Sequence, residues 1–178
     1  MIVLIPAKFI DCITFPGVLL HEVAHQLMCD LCNVPIYSVE YFTPNSHFLG
    51  CVVHAPANSY YKELCIGIAP LLINSLVCML FTLPIGTTFL FGTTFLDTNM
   101  GPLQFFVSWI GFSSGFHAFP SKQDTCRLAE LATTPRQKRI THGLQAIINI
   151  CNLPNLSLAF SVGYTCLISL IIPFLFFS

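Results

Sequence analysis

Apolar residues in this chain gather into four long runs separated by shorter polar stretches. The runs extend roughly over Phe9 to Val34, Leu64 to Gly92, Leu103 to Phe119 and Leu156 to Phe177. A helix needs about 20 apolar residues to cross the hydrocarbon core of a bilayer, and each run is close to that length. The pattern therefore predicts about four transmembrane helices.

Several of the predicted spans contain residues that interrupt a helix. These residues are Pro16, Gly17, Pro70, Pro84 and Pro173. Membrane helices tolerate such breaks where neighbouring helices or cavity water satisfy the freed backbone groups. We therefore expect some of the spans to be broken and to enclose an internal cavity.

The polar stretch between the first two runs has the pattern of a β-hairpin. Its β-branched and aromatic residues flank the turn-like sequence TPNS at residues 43–46, which predicts strands over about Tyr37 to Phe42 and Phe48 to His54. An exposed strand edge could pair with an extended peptide by β-addition. The alternative is a flap that only closes the mouth of a cavity.

The segment from Pro120 to His142 is the most polar part of the chain. It holds five of the seven basic residues, namely Lys122, Arg127, Arg136, Lys138 and Arg139. By the positive-inside rule this segment faces the cytoplasm. Following the chain back through the third and second spans places the hairpin, and the carboxyl end of the first span, on the cytoplasmic side as well.

Composition supports a membrane environment and argues against nucleic acid as a partner. Of the 178 residues, 54% are hydrophobic and only 8% are charged, whereas soluble domains carry about 25% charged residues. The lipid bilayer is therefore the expected surroundings of a single domain, with a core at 9–125, the basic segment at 120–142 and a last span at 156–177. The net charge of -1 and the lack of a basic stripe exclude a nucleic-acid-binding surface.

The nine cysteines do not form the pattern of a disulfide framework. Their number is odd and they are scattered through apolar runs, so most are expected to be small buried hydrophobic residues. Cys29 and Cys32 form one CxxC, but the chain has no second CxxC to complete a metal site. These two cysteines therefore give only a weak indication of metal or redox chemistry.

The first apolar run contains an HExxH motif, His21-Glu22-Val23-Ala24-His25. Residues four apart share one face of a helix, so both imidazoles can bind one zinc ion while Glu22 meets a bound water. Zinc acidifies that water, and Glu22 can take its proton as a general base. With six His and four Glu in the chain, chance would give this motif in roughly 0.4% of such sequences.

A catalytic zinc normally has three protein ligands, so the sequence should supply one more. Asp124 is favoured because it follows the cytoplasmic end of the third span, on the same side as the HExxH helix. Its alternative role is to cap a helix from about Lys122 to Ala132, since Ser121 stands three residues before it. His117 is the next candidate ligand, and the remaining candidates are His47, His54 and His142.

Three segments, PGVLLHEVAHQL, IGIAPLLINSLVC and HAFPSKQDT, together resemble the signature regions of the site-2 protease family of intramembrane metalloproteases. The resemblance covers Pro16 to Thr125. It implies that His21 and His25 match the histidine ligands, Glu22 the catalytic glutamate, Asn74 the second-helix asparagine and Asp124 the aspartate ligand. It also implies an intramembrane zinc endopeptidase that cuts membrane-protein substrates.

The chain departs from this family pattern at four points. Ala69 replaces the glycine of the Gly-Pro pair, His117 replaces the asparagine that opens the third element, Thr125 replaces the glycine after the aspartate, and the Pro120-to-Asp124 spacing is one residue short. These departures leave the choice between Asp124 and His117 as third ligand open. They do not affect the HExxH assignment.

Asn74 and His117 each have a catalytic and a structural interpretation. Asn74 could donate to a substrate carbonyl or a developing oxyanion, or it could make an interhelical hydrogen bond that joins two spans. His117 could support Asp124, donate to the transition state or bind the metal, or it could make a plain interhelical contact. The sequence leaves both choices open and indicates no oligomeric state.

The residues thus predict an all-helical membrane zinc endopeptidase with a small hairpin and a site near the cytoplasmic face. Two other classes of function use the same residues. One is a membrane zinc hydrolase of a small or lipid-like amide, which shares the zinc and glutamate chemistry. The other is a non-catalytic metal-binding membrane protein, for which Glu22 would be unnecessary.

Overall fold

The computed structural model describes residues 7–43, 49–91, 101–151, 153 and 157–177. Over these residues the predicted fold class, mostly helical with one small antiparallel sheet, is confirmed. In chain order the elements are α1 (Ala7–Ile13), α2 (Phe15–Leu31), β1 (Ile36–Glu40), β2 (Cys51–His54), α3 (Tyr60–Phe81), α4 (Leu83–Phe91), α5 (Pro102–Phe116), α6 (Leu128–Leu131), α7 (Pro135–Cys151) and α8 (Ser157–Phe177).

The first apolar run forms two helices rather than one. They separate at Thr14, whose hydroxyl donates to the carbonyl of Ile10 at 2.8 Å. Pro16 stands in the first turn of α2, where its missing N–H removes no helical hydrogen bond. Beyond α2, Asn33 adopts a left-handed backbone conformation with φ of 53° and turns the chain towards β1. The predicted break near Pro16 is therefore present.

The predicted hairpin is also present, with shorter strands than expected. β1 and β2 pair antiparallel, with Glu40 opposite Cys51 and Val39 opposite Val52. The N–H of Thr43 donates to the carbonyl of Leu49 at 2.6 Å, which continues the pairing towards the turn. The predicted turn from Pro44 onward, Phe48 and the candidate ligand His47 lie outside the described residues.

Three helices meet where the HExxH motif lies. α2, α3 and α5 pack against one another in pairs, and α8 packs against α3, α4 and α5. Both strands of the hairpin contact α2. The carboxyl half of α2 is thus enclosed by two helices and one sheet, which positions its side chains.

Two described helices are long and apolar enough to cross a membrane, judged by length and composition: Tyr60–Phe81 and Ser157–Leu175. The prediction of about four spans is therefore supported for two of them. The run from Leu64 to Gly92 divides after Phe81, so Pro84 lies in the first turn of the separate helix α4, and Gly92 lies outside the described residues. α2 and α5 have 17 and 15 residues, which is short for a span.

The helix predicted from about Lys122 to Ala132 is wrong. Residues 122–127 form turns, and only Leu128–Leu131 are helical. The backbone bonds here join residues three apart, as from Cys126 N–H to the Gln123 carbonyl at 3.3 Å. The side chain of Thr125 is buried, so this segment is folded against the protein as a tight turn and does not extend outward as a helix.

The expectation that most cysteines are buried is also wrong. Cys29, Cys78 and Cys151 are buried, whereas the exposed ones are Cys12, Cys65, Cys126 and Cys166. All nine are free thiols, in agreement with the prediction that they form no disulfide framework. Cys29 packs against Val34, Ala57 and Ile66 in a small apolar cluster, and Cys32 packs against the same cluster. The CxxC pair is therefore part of the hydrophobic core here.

Candidate metal centre

The HExxH helix presents two imidazoles to the same point. His21 and His25 lie one turn apart on α2, and their Nε2 atoms are 3.2 Å from each other. The side chains are 13% and 7% exposed, so both rings are held inside the protein. The helical spacing of four residues produces this convergence.

A backbone carbonyl at the end of α5 orients His21. His21 Nδ1 lies 2.7 Å from the carbonyl oxygen of His117, the residue that caps the carboxyl end of α5. The last carbonyls of a helix have no partner within the helix, so this oxygen is free to accept a hydrogen bond. His117 thus acts on the site through its backbone.

A second carbonyl, in the middle of α3, orients His25. His25 Nδ1 lies 2.8 Å from the carbonyl oxygen of Ile66. Within a helix that oxygen would normally accept from the N–H four residues on, but here that residue is Pro70, which has no N–H. Pro70 therefore frees the carbonyl that fixes the His25 ring.

These two contacts determine which ring nitrogens carry protons. A carbonyl oxygen only accepts, so Nδ1 of each histidine must be the N–H donor, and in the neutral ring Nε2 carries a lone pair. The two Nε2 atoms face each other, and each Nε2 lies 3.5 Å from one carboxylate oxygen of Asp124. Four atoms that can each bind a metal ion thus converge at one point.

Asp124 is fixed by the turn in which it lies. Its Oδ2 accepts the N–H of Ser121 at 2.6 Å, and its own N–H donates to Ser121 Oγ at 3.3 Å. Gly67 of α3 admits this turn, since a Cβ there would lie only 2.7 Å from the Asp124 carbonyl oxygen. The capping interaction and the position beside the histidines therefore occur together, although the sequence presented them as alternatives.

Burial alone would raise the pKa of the Asp124 carboxyl. The hydrogen bonds and positive charge of His21 and His25 outweigh burial and hold this pKa well below its ordinary value. Asp124 is therefore an anion beside the two histidines. Together the three side chains form a group whose ligand atoms lie within 4.8 Å of one another and could hold one metal ion.

Glu22 lies next to this group and is 7% exposed. Its carboxylate packs against Gly50, the residue before β2, where a Cβ would lie 2.6 Å from Glu22 Cγ and 2.8 Å from Oε1. Within the described part of the chain no donor makes a hydrogen bond to this carboxylate. The Glu22 carboxylate thus lies beside the cluster and is held in place by packing against the hairpin.

Asn74 joins three helices behind the cluster. Its Nδ2 donates to the carbonyl of Gly17 at 3.2 Å and to the carbonyl of His117 at 3.0 Å. The reverse orientation of the amide would place its oxygen against two carbonyl oxygens, so this assignment follows from the partners. Both amide hydrogens are used, so Asn74 braces the carbonyl that orients His21.

The imidazole of His117 points away from the cluster. Its Nε2 lies 2.7 Å from Thr14 Oγ1, and that hydroxyl already donates to Ile10. His117 Nε2 is therefore the donor in this contact. The ring links the end of α5 to the junction of α1 and α2, while its backbone carbonyl serves His21.

The other two described histidines stand apart from the cluster. His54 ends β2 and its Nδ1 lies 2.8 Å from the carbonyl of Ala55, while His142 is exposed on α7. Sequence patterns did not point to the two orienting carbonyls, because every residue has one. The signal for Ile66 was present: a proline four residues later within an apolar helix.

A cavity of about 630 Å³ opens beside the cluster. Its lining includes His21, Glu22, His25 and Asp124, and also residues of β2 such as Cys51 and His54, Asp11 of α1, and the start of α8 at Ser157 and Ser161. The broken helices predicted an internal cavity; the cavity found here is partly open to the outside. The group of three side chains has open space on one side.

No known protein family matches this chain, and neither a curated protein nor a solved structure matches it.

Proposed function

We propose that this protein is a membrane-embedded zinc endopeptidase with His21, His25 and Asp124 as ligands. The observation that carries the proposal is the convergence of two imidazole Nε2 atoms and two carboxylate oxygens at one point. Both imidazoles donate their other nitrogen to a carbonyl, as metal-binding histidines almost always do. A single proton could remove the repulsion between one pair of these atoms, whereas a divalent cation attracts all of them at once.

The distances between the ligand atoms suit zinc. Ligand atoms of a tetrahedral zinc lie about 2.0 to 2.1 Å from the ion, which places them about 3.3 to 3.4 Å from one another. The separations here are 3.2 Å between the imidazoles and 3.5 Å from each imidazole to Asp124. Three nitrogen and oxygen ligands with an open side towards a cavity are typical of catalytic zinc sites.

Glu22 is positioned to move the proton that peptide hydrolysis requires. Bound zinc would supply a Lewis acid that acidifies water and polarises a carbonyl. The Glu22 carboxylate, which lies beside the ligands, accepts a proton from the attacking water and returns it to the departing amine. A non-catalytic metal-binding protein has no need of this buried carboxylate, which favours an enzyme.

The hairpin favours a peptide substrate. The sheet has two strands, so β2 pairs with β1 along one edge and its residues also line the cavity beside the cluster. A locally unwound substrate segment could add to this edge by backbone hydrogen bonds and present its peptide group to Glu22. The rival substrate, a small or lipid-like amide, is favoured by the cavity volume of about 630 Å³.

The surface of the protein supports a membrane location. Only 17% of the apolar window of α8 is buried, whereas an apolar helix in the core of a soluble protein would be mostly covered. α3 is likewise 39% buried. We propose that the four apolar segments all lie in the bilayer, with the site towards the cytoplasmic face and a membrane protein as the substrate.

The resemblance to the site-2 protease family agrees with this proposal for His21, Glu22, His25 and Asp124. For Asn74 the contacts favour a positioning role, since both of its amide hydrogens are used. The same holds for His117, which acts through its carbonyl and contacts Thr14 through its ring.

Replacing Glu22 by Gln tests the proposed reaction. The amide cannot accept the proton from water, so turnover of a membrane-helix substrate in bilayer nanodiscs should fall by about 10² to 10⁴-fold while bound metal stays unchanged. Glu130→Gln, which neutralises an exposed carboxylate on α6, is the matched control and should leave turnover unchanged. Turnover near wild type in Glu22→Gln would contradict the general-base role.

Parallel assays separate the two substrate classes. Cleavage of the membrane-helix substrate that is lost with Glu22→Gln supports the endopeptidase. Hydrolysis of long-chain N-acyl amides, with no cleavage of peptides, would instead establish the small-amide hydrolase.

A further inference from the structure

Helix α7 packs against the protein through one narrow face. Thr141, Ile148 and Cys151 are buried on this face, and Leu144 packs beside them against a cluster that includes Tyr60. The hydroxyl of Tyr60 also lies 3.1 Å from Thr141 Oγ1. At about 100° per residue, these packed residues all lie on one side of the helix. The rest of the circumference of α7 is not covered by this contact.

A stripe of exposed apolar residues runs along α7 beside the packed face. Ile140, Ile147 and Ile150 are 37%, 54% and 50% exposed. Gly143 lies on the same line of the helix and has open space around it. At helical spacing these residues form one continuous surface about a quarter of a turn round from the packed face.

The first turns of α7 are basic. Lys138 lies on a third, polar face, Arg139 lies between that face and the isoleucine stripe, and Arg136 lies on the line of the stripe, one turn before Ile140. The helix contains no acidic residue. None of the three forms an ion pair with a residue in the described ranges. Asn149 lies on the polar face nearer the carboxyl end. α7 therefore combines free positive charge with an uncovered apolar stripe.

This combination fits a surface that offers both anionic groups and hydrocarbon. Only 8% of the residues are charged and the net charge is -1, yet three cations lie on this one helix, and none of them pairs with an anion in the described part of the chain. α7 also packs against α8, whose apolar surface is mostly uncovered. α7 thus adjoins a helix that is long and apolar enough to cross a membrane.

We propose that α7 lies in the headgroup region of a bilayer and binds anionic lipids. Its isoleucine stripe inserts among the acyl chains, and Arg136, Lys138 and Arg139 bind the headgroups. The binding would hold the turn containing Asp124 at a constant depth, because α6 joins that turn to α7. This inference rests on the membrane location proposed above, but not on zinc or on proteolysis.

Tryptophan quenching can test the insertion of α7. The chain has one Trp, so a Trp109→Phe background allows single tryptophans to be placed at chosen positions. In nanodiscs with brominated acyl chains, Ile147→Trp should be strongly quenched and Asn149→Trp, on the polar face, should not. Leu167→Trp, on the exposed surface of α8, reports separately on the membrane location.

Each quenching result decides one point. Quenching at 167 and 147 but not at 149 supports the proposal. Quenching at 167 alone overturns the proposal for α7 and leaves the membrane location intact. A blue-shifted tryptophan at 147 that is not quenched would show that a protein partner or a second copy covers the stripe, which also overturns it. No quenching at 167 would contradict the membrane location itself.

Lipid charge is tested in nanodiscs that mix phosphatidylglycerol and phosphatidylcholine, with bromine on one lipid at a time. Brominated phosphatidylglycerol should quench the tryptophan at 147 more than brominated phosphatidylcholine at equal mole fraction. The Arg136→Gln, Lys138→Gln, Arg139→Gln variant should lose this preference, by up to about fivefold per residue. Lys122→Gln, outside α7, should keep it. Equal quenching by both lipids in the unmodified helix would overturn the anionic-lipid assignment.

Discussion

A histidine binds a metal through a nitrogen lone pair, so the hydrogen bond of its other nitrogen decides whether it can do so. In this protein the Nδ1 atoms of His21 and His25 both contact carbonyl oxygens that accept no hydrogen bond within their own helices. His117 supplies one because it ends α5, and Ile66 supplies the other because Pro70 follows four residues later. The chemistry of the cluster is thus fixed by backbone groups as much as by the three side chains.

Replacing Pro70 by Ala tests the role of the freed carbonyl. The new N–H would compete with His25 for the Ile66 oxygen, so zinc affinity should fall by about 10 to 100-fold. Removing an interior proline also favours the helix, so the zinc-free variant should unfold at a higher temperature than the unmutated protein. A loss of affinity with a gain in stability excludes misfolding as the cause.

Pro173→Ala in α8 is the matched control, since that proline also lies inside a helix but far along the chain from the cluster. It should leave zinc affinity unchanged. Unchanged affinity in Pro70→Ala would show that the Ile66 carbonyl orients His25 without help from the proline.

Replacing Asp124 by Asn tests its role as a ligand. Asn keeps an oxygen that can accept the Ser121 N–H, but it lacks the negative charge that a zinc ligand supplies. Zinc binding should weaken and turnover should be lost, while thermal stability without zinc stays close to that of the unmutated apo-protein. Ser121→Ala, which removes only the hydroxyl contact, should retain zinc.

If Asp124→Asn kept both zinc and activity, the carboxylate would serve only the turn. His117→Ala would then be expected to strip the metal, in spite of the contact of that ring with Thr14. Metal analysis of the two variants side by side distinguishes these outcomes.

At the scale of elements, the hairpin and the turn at 121–127 complete the site that α2 begins. A glycine allows each of these segments to pack closely: Gly50 of the hairpin lies against Glu22, and Gly67 of α3 lies against the Asp124 backbone. The sequence predicted the hairpin and placed Asp124 near the HExxH helix, because both follow from local pattern and span order. It did not predict the turn at 122–127, because a capping signal looks the same whether or not a helix follows.

Gly50→Ala tests whether the hairpin positions Glu22. The added Cβ would lie 2.6 Å from Glu22 Cγ, so the carboxylate or the strand must move. Turnover should fall by at least 10²-fold, the order expected for a displaced catalytic group, while zinc content is kept. Gly143→Ala, where a Cβ meets nothing within 4 Å, is the matched control and should be neutral. Full activity in Gly50→Ala would show that Glu22 needs no support from β2.

At the scale of the whole molecule, the helices enclose a polar centre and leave an apolar exterior. Glu22, His25, Asn74 and Ser113 are buried, while residues such as Leu167 and Phe174 are largely exposed. Composition and the length of the apolar runs predicted this arrangement of a polar interior and an apolar exterior. The number of long helices was harder to predict, because an apolar run does not reveal where the chain breaks: the first run divides at Thr14 and the second after Phe81.

The tautomers of His21 and His25 could not be predicted from the sequence, because they depend on carbonyls from α3 and α5 that only the packing of three helices brings near. The convergence of the ligands could be predicted from the motif and the order of the spans. The central proposal is that these three ligands hold one zinc ion.

The most direct test of the account is the zinc content of purified protein, measured by mass spectrometry of the metal after exhaustive dialysis. The wild type should retain about one zinc per chain, because one set of three ligands forms one site. A His21→Ala, His25→Ala double variant that remains folded should retain none. Equal zinc in the two proteins, or no zinc in the wild type after reconstitution with the metal, would contradict the account.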